Sequence, residues 1–396
     1  MKNKLGIFFL IISFFTVDAT ISYVKKEKNS VVVQEEIKEI RAIYISYLEY
    51  FDNFYGGSKS VNESKIDKMI DNIKMDGFNT IILHVSPFSD AIYSSKIFPY
   101  SYTLTGEEGK NPGFDYLEYF IKVGHAKNIQ IHAWINPYRV SFDSTIKNIS
   151  IHNPAYKLYN TSSLGINEKG IYYNPSSEIV KNLILRQVEE IINKYDVDGI
   201  HFDDYFYMQN DIDKLEYDAY IKNGGEMSLK EFRLYHTNDL VKRVYKTIKS
   251  KKSNVIFSIS PDGNINNNYR YHYADVKTWL NSNEYVDIIM PQIYYGFNNQ
   301  YSPFESVLNN WIKIRVNESI KIVPILAFYK IGFIDNDAGS GKNEWLNDEN
   351  IINRQINSIR QNNLSGYGLF RYDYMYSKSK MCEKSVKEME NLKKNN

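Results

Sequence analysis

Short runs rich in Ile, Val and Phe recur along the chain, each followed by an amphipathic stretch. The runs are Arg41–Tyr47, Thr80–Val85, Gln130–Ile135, Asp198–Asp203, Val255–Ser260, Val286–Met290, Lys321–Leu326 and Gly366–Phe370. Their interiors are apolar on both alternating faces, the pattern of strands covered on two sides. Between them, Ile66, Ile70 and Ile73 share one helical face before the second run, and Ile179, Leu183, Val188, Ile191 and Ile192 do so before the fourth. Phe232, Leu240, Val244 and Ile248 mark a helix before the fifth run, and Ile351, Ile352, Ile356 and Ile359 one before the eighth. Eight strands alternating with helices predict an α/β fold, a single (β/α)8 barrel. A doubly wound open sheet would share the alternation, but no Gly-x-Gly-x-x-Gly follows the first run, which weakens a nucleotide-binding reading.

The segments outside this alternation predict the organisation of the chain. Lys2 and Lys4 precede an apolar run from Leu5 to Val17. That run is short for a bilayer span but suits the core of a signal peptide, and Val17-Asp18-Ala19 offers small residues where a signal peptidase reads. Residues 1–19 are therefore expected to be a cleaved signal peptide, or else an uncleaved anchor and the sole membrane contact. Either places the body outside the cytoplasm, extracellular or in the cell envelope. Residues 20–38 read as a tether, 39–376 as the barrel, and 377–396 as a final helix over Ser377–Lys394 with a frayed tail. The connection from Asn136 to Asn174 is too long for a plain loop and carries Gly165 and Gly170, so a hairpin over the barrel mouth is expected. No internal repeat or second domain is evident, and a monomer is expected.

Composition narrows the function. Lys+Arg 48 against Asp+Glu 47 leaves a net charge of +1, which argues against nucleic acid as a partner. A lone cysteine, Cys382, excludes an internal disulfide and a thiolate-rich metal site. The 34 Tyr, 21 Phe and 4 Trp are more informative, because flat rings with a polar edge match the C–H faces and hydroxyls of sugars. His84, His132 and His201 lie inside their runs without a His-x-His pair, so no metal or other cofactor is expected.

In such a barrel the chemistry sits where the strands end. Nearly every run closes on polar and aromatic residues. The fourth ends in Asp203-Asp204, two adjacent carboxylates that would be costly at the end of a buried strand without a task. Alternation puts Gly199, His201 and Asp203 on one side and Ile200, Phe202 and Asp204 on the other, turning Asp203 toward the mouth. Acid and base work on a bound substrate takes two carboxyl groups. Asp203 is the expected first, and Asp204 and Asp373 rank ahead of Asp262 and Glu344 as the second. Tyr138, Tyr205, Tyr294, Tyr295 and Tyr329 are candidate platforms for sugar rings, and Trp134 a candidate floor. Asn136, Gln292 and Lys330 are candidates for bonding hydroxyls or N-acetyl groups. Arg139 and Arg371, in a chain where arginine is scarce beside lysine, are candidate clamps for a carboxylate. His84, His201 and Asp262 complete the expected substrate-binding set.

The same segments resemble the bacterial glycosyl-hydrolase-like family ten. They include Gly77-Phe78-Asn79-Thr80, Pro87–Ser95, Leu104-Thr105-Gly106 with Gly109–Asp115, His132–Val140, Tyr195–Tyr207, Ile259-Ser260-Pro261 and Met290–Tyr294. The resemblance runs from about Arg41 to Tyr374. It implies a (β/α)8 glycosidase acting on cell-envelope polysaccharide, namely the glycan strands of peptidoglycan. It also marks two departures: Ser86 stands before Pro87 where the family suggests Arg, and Asp262 before Gly263 where many members carry Phe. A glycan-binding barrel without catalysis is the alternative, followed by a metal-dependent deacetylase or amidohydrolase.

Overall fold

The computed structural model describes residues 39–203, 207 and 211–395. The expected leader and tether, and Asp204 and Tyr205, lie outside the described residues.

The predicted alternation folds as a closed parallel barrel. Its strands are β1 (Ile40–Ile45), β2 (Thr80–Ser86) and β3 (Gln130–Ile135), then β7 (Gly199–Asp203), β8 (Ile256–Ser260), β9 (Ile288–Ile289), β10 (Lys321–Ile322), β11 (Ile325–Leu326) and β12 (Gly366–Leu369). They join in the order β10-β9-β8-β7-β3-β2-β1-β12-β11. The seventh predicted run is split into β10 and β11 because Pro324 has no N–H to give the ladder. Its two halves close the ring. Val323 N–H donates to Ile289 O at 3.0 Å on one side, while Gly368 N–H donates to Pro324 O at 2.9 Å and Phe370 N–H to Leu326 O at 3.0 Å on the other.

Side-chain alternation divides the strands between two environments. Ile43, Ile45, Ile81, Leu83, Ile200, Phe202, Phe257 and Ile259 point outward into one apolar core shared with the helices. Tyr44, Trp134 and His201 point inward and meet edge to face, with ring centroids 5.6 Å apart for Tyr44–Trp134 and Tyr44–His201. Small residues make room for this crowded interior. A Cβ on Gly199 would lie 2.6 Å from the His132 ring, so only glycine leaves space for that imidazole.

The covering helices include Lys59–Met75, Tyr116–Ala126, Glu178–Lys194, Leu229–Lys251, Phe304–Ile314 and Ile351–Gln361. Local chemistry starts several of them: Asp115 accepts from Glu118 N–H, and Ser228 and Glu231 form a reciprocal capping box. The predicted apolar faces are buried except at Ile179 and Leu183, the latter half-buried. Ile179 is 61% exposed, because Val180 and Ile184, in step with Val188 and Ile191, turn inward instead.

The insertion after β3 is a small antiparallel sheet rather than a lone hairpin. β4 (Arg139–Ser141), β5 (Leu164–Asn167) and β6 (Gly170–Tyr173) assemble in the order β4-β6-β5. Gly170, at φ +127°, turns the β5–β6 hairpin with its Cα against Ser141 O, where no side chain fits. The final helix begins at Glu383, later than the predicted Ser377.

Candidate active site

Six strands and the segments after β1, β9 and β12 converge on a cavity at the carboxyl end of the barrel. After β1, Ser46 Oγ accepts from Leu48 N–H at 3.3 Å and starts a single 3-10 turn that delivers Tyr47 and Leu48 to the mouth. Asp203 closes β7, Ser260 closes β8 in register with it, and Gln292 follows β9. Together with Tyr44, His84, Trp134, Tyr294, Ile325 and Phe370 they line a cavity of ≈190 Å³.

Asp203 is the only carboxylate among the described residues of that lining. Its Oδ1 accepts from Gln292 Nε2 at 2.8 Å and from Ser260 Oγ at 3.2 Å. Gln292 Nε2 also donates to Ser260 O at 3.0 Å, so the amide is fixed by two strand ends. Behind this pair, His201 is wholly buried and bonds Ser258 Oγ at 2.8 Å, Ser260 Oγ at 3.0 Å and Tyr44 Oη at 3.3 Å. Burial holds the His201 imidazole well below its ordinary pKa, so it is neutral at physiological pH. Tyr44 is pushed well up, first by burial and then by the Asp203 charge, and keeps its hydroxyl proton. The neighbouring strands β3 and β2 contribute a stacked pair, His84 on Trp134, with centroids 3.5 Å apart and planes 8° from parallel. His84 too is held well below its usual pKa, by burial and then by Arg139 and His201.

A second cavity of ≈260 Å³ adjoins the first and shares Gln292 and Tyr294 with it. Asp262, Tyr295, Tyr329 and Lys330 line it. Lys330 Nζ is held by Asp335 Oδ2 at 2.8 Å and Tyr294 O at 3.0 Å. Burial pushes the Asp262 carboxyl up, but hydrogen bonds from His272, Asn267 and Asn264 outweigh it and leave it below the ordinary carboxylate value.

Several expected site residues do other work. Tyr138 is packed in the apolar core at 1% exposure. Asn136 is spent on its neighbours, accepting from Trp134 Nε1 at 3.0 Å and donating to Pro87 O at 3.3 Å. His201 lies beneath the cavity rather than in its lining. Arg139 lies over the Phe142 ring at 4.8 Å. Arg371 and Asp373 form a two-pronged ion pair, with both N–O distances 2.9 Å, and neither lines the two cavities. Glu344 accepts from Phe297 and Asn298 N–H groups at 3.1 and 2.8 Å and fixes that loop. The sequence reading missed Tyr44, Tyr47, Ser260 and Phe370 in the lining, and Glu49 beside Arg371. Glu49 is wholly buried 3.5 Å from the guanidinium, and burial and then the Asp373 charge push its carboxyl well up. The alternation that aimed Asp203 inward would have found Tyr44 and Ser260 as well.

With this geometry in view, comparison with known proteins is direct. Residues 39–340 match the family described as glycosyl hydrolase-like 10. Over 346 residues the chain is 30% identical to the glycosyl hydrolase YngK of Bacillus subtilis (strain 168), covering 82% of this chain and 67% of that protein. Over 344 residues it is 30% identical to the glycosyl hydrolase DigH of Escherichia coli (strain K12), covering 79% of this chain and 76% of that one. Among solved structures, α-L-fucosidase isoenzyme 2 of Paenibacillus thiaminolyticus aligns with a TM-score of 0.56 at 12% identity, over 90% of this chain and 49% of the fucosidase. The catalytic domain of a Paenibacillus polymyxa β-amylase gives a TM-score of 0.53 at 8% identity, over 91% of this chain and 99% of that domain. At such identities the structures share the barrel alone, and this chain spans about half the fucosidase. Sequence identity and the extent of the match lead to one conclusion: the chain belongs to the glycosyl hydrolase-like 10 family.

Proposed function

We propose that this protein is a glycoside hydrolase acting on cell-envelope polysaccharide, with the glycan strands of peptidoglycan as its substrate and Asp203 as one of its two working carboxyl groups. The observation that carries the reading is the Asp203 carboxylate, oriented by Gln292 and Ser260 on the wall of an aromatic cavity at the carboxyl end of the barrel. A carboxylate so placed can attack an anomeric carbon, activate water or stabilise an oxocarbenium-like centre. The stacked His84–Trp134 wall, Tyr294 and Phe370 exclude water and offer flat faces to a sugar. Asp373 is tied to Arg371 outside both cavities, so Asp204, which follows Asp203 in the chain, is the proposed partner for the acid step. The glycan-strand assignment rests on the family resemblance. The proposed extracellular or envelope location rests on the leader-like N-terminus, and the protein is proposed to work as a monomer.

Asp203→Asn tests the reading, because it keeps size and most hydrogen bonds while removing the charge. Turnover of peptidoglycan glycan stripped of peptides should fall at least about a thousandfold, since ~1.4 kcal/mol of barrier is tenfold in rate. The melting temperature and glycan affinity should hold. Near wild-type turnover in a normally folded variant would remove Asp203 from the chemistry. No turnover by the wild type, with glycan binding retained, would make the protein a binding barrel instead.

A further inference from the structure

Outside the cavity, aromatic rings continue in an unbroken series across the loops after β1, β2 and β4. Tyr47, which lines the cavity, meets Phe88 edge to face at 4.7 Å. Phe88 in turn meets Phe142 at 5.3 Å and Tyr102 at 6.2 Å. Tyr102 lies 6.3 Å from Phe51, and Phe51 stacks on Tyr55 at 4.9 Å with planes 12° apart. Tyr47 is half-buried and Phe88 buried, and the series ends in solvent: Phe51 is 49% exposed, Tyr55 51%, Tyr102 41% and Phe142 53%. A row of large exposed rings is costly on a soluble surface and marks an interaction site.

The form of this surface selects its occupant. It is continuous with the cavity through Tyr47, so whatever lies on it can enter the site. The cavity, at ≈190 Å³, is smaller than the ~300–1,000 Å³ that drug-sized ligands fill, so most of a polymeric substrate must rest outside it. On the other side the Gln292–Tyr294 edge opens into the second cavity. A chain threaded through the site would therefore leave it across the aromatic series on the β1–β2 side.

We propose that the series from Tyr47 to Tyr55, with Phe142, is a track that carries the glycan chain into the cavity, making the protein selective for long polysaccharide over short oligosaccharides. The inference rests on the glycosidase reading and adds to it a polymeric substrate and a direction of approach. Each ring contributes a modest contact, and tethering at the cavity makes successive contacts intramolecular.

The test pairs Phe51→Ala with Tyr55→Ala, both outside the cavity and exposed enough to leave the fold intact, which melting confirms. The probes are peptide-free glycan strands and an N-acetylglucosamine-containing tetrasaccharide. In the Asp203→Asn background, affinity for the strands should fall by about tenfold per ring, the equivalent of ~1.4 kcal/mol, while tetrasaccharide affinity holds. In the otherwise wild-type protein, KM for the strands should rise with kcat unchanged. Equal losses on both probes, or no loss on the strands, would overturn the track. So would a change in sedimentation on substitution, which would make the surface a contact between copies of the chain. If the wild type cleaves neither probe, the glycosidase reading fails separately, and strand affinity still decides the track.

Discussion

Gln292 ties the Asp203 carboxylate to the edge shared by the two cavities. Its one amide nitrogen reaches the Asp203 carboxylate and the Ser260 carbonyl, and its stem borders both cavities. Gln292→Leu keeps the volume and deletes both bonds. Losing an orienting bond to a charged group costs about 1.5–3 kcal/mol, so kcat on glycan should fall roughly ten- to a hundredfold, with KM and melting temperature little changed. Unchanged kcat, or a loss matched by lowered stability, would deny Gln292 an orienting role. Part of this residue scale was legible in the chain. A two-residue period aimed Asp203 and His201 inward, and a strand-end position made Gln292 a candidate. What period cannot reveal is which inward groups consume one another. Arg371 and Asp373 are two residues apart and satisfy each other, and Asn136 serves the indole of Trp134. Tyr44 escaped notice because it sits inside a run read as apolar, and Ser260, at the end of its run, because the carboxylate of Asp262 drew the reading there.

Among the elements, the C-terminal helix Glu383–Asn395 carries a pH-sensitive contact. Glu388 Oε1 accepts from Ile352 N–H at 3.0 Å and its Oε2 from Asn353 Nδ2 at 2.7 Å, so one helix supplies the missing cap of another. Burial pushes the Glu388 carboxyl from 4.5 up to about 7 despite those two bonds. A carboxyl raised by folding contributes its full stability below the unfolded value and loses it as pH rises through the folded one. Relative to Glu388→Gln, the wild type should therefore lose up to about 3 kcal/mol of stability between pH 4.5 and just above 7. Denaturant melts of both proteins across that window check it, and parallel curves would overturn it. Element identity was largely readable, because buried strands and one-faced helices have different periods. Ile179 was misplaced because Val180 and Ile184, not Ile179 and Leu183, fall three and four residues in step with Val188 and Ile191. The contact of Glu388 with Ile352 was hidden because two helices meet there without any periodic sign of it.

At the scale of the whole molecule, the eightfold alternation predicted the barrel, yet nothing in it predicted where the ring would be joined least firmly. That place follows from Pro324. The two strands of most extended pairing, β2 and β3, run seven and six residues, whereas β9, β10 and β11 have two each. Local opening free energy tracks such differences in pairing and burial. In native-state hydrogen–deuterium exchange, the amides of Val323, Ile325 and Gly368 should lose protection before those of Ile82 and Ile131. Uniform exchange across the barrel would refute this. Ile325 lines the central cavity, and Gln292 and Tyr294 border the same joint. A bound glycan would then slow exchange most at this joint, so the broken seventh strand doubles as a sensor: deuterium uptake there reports occupancy of a site whose substrate has yet to be cut.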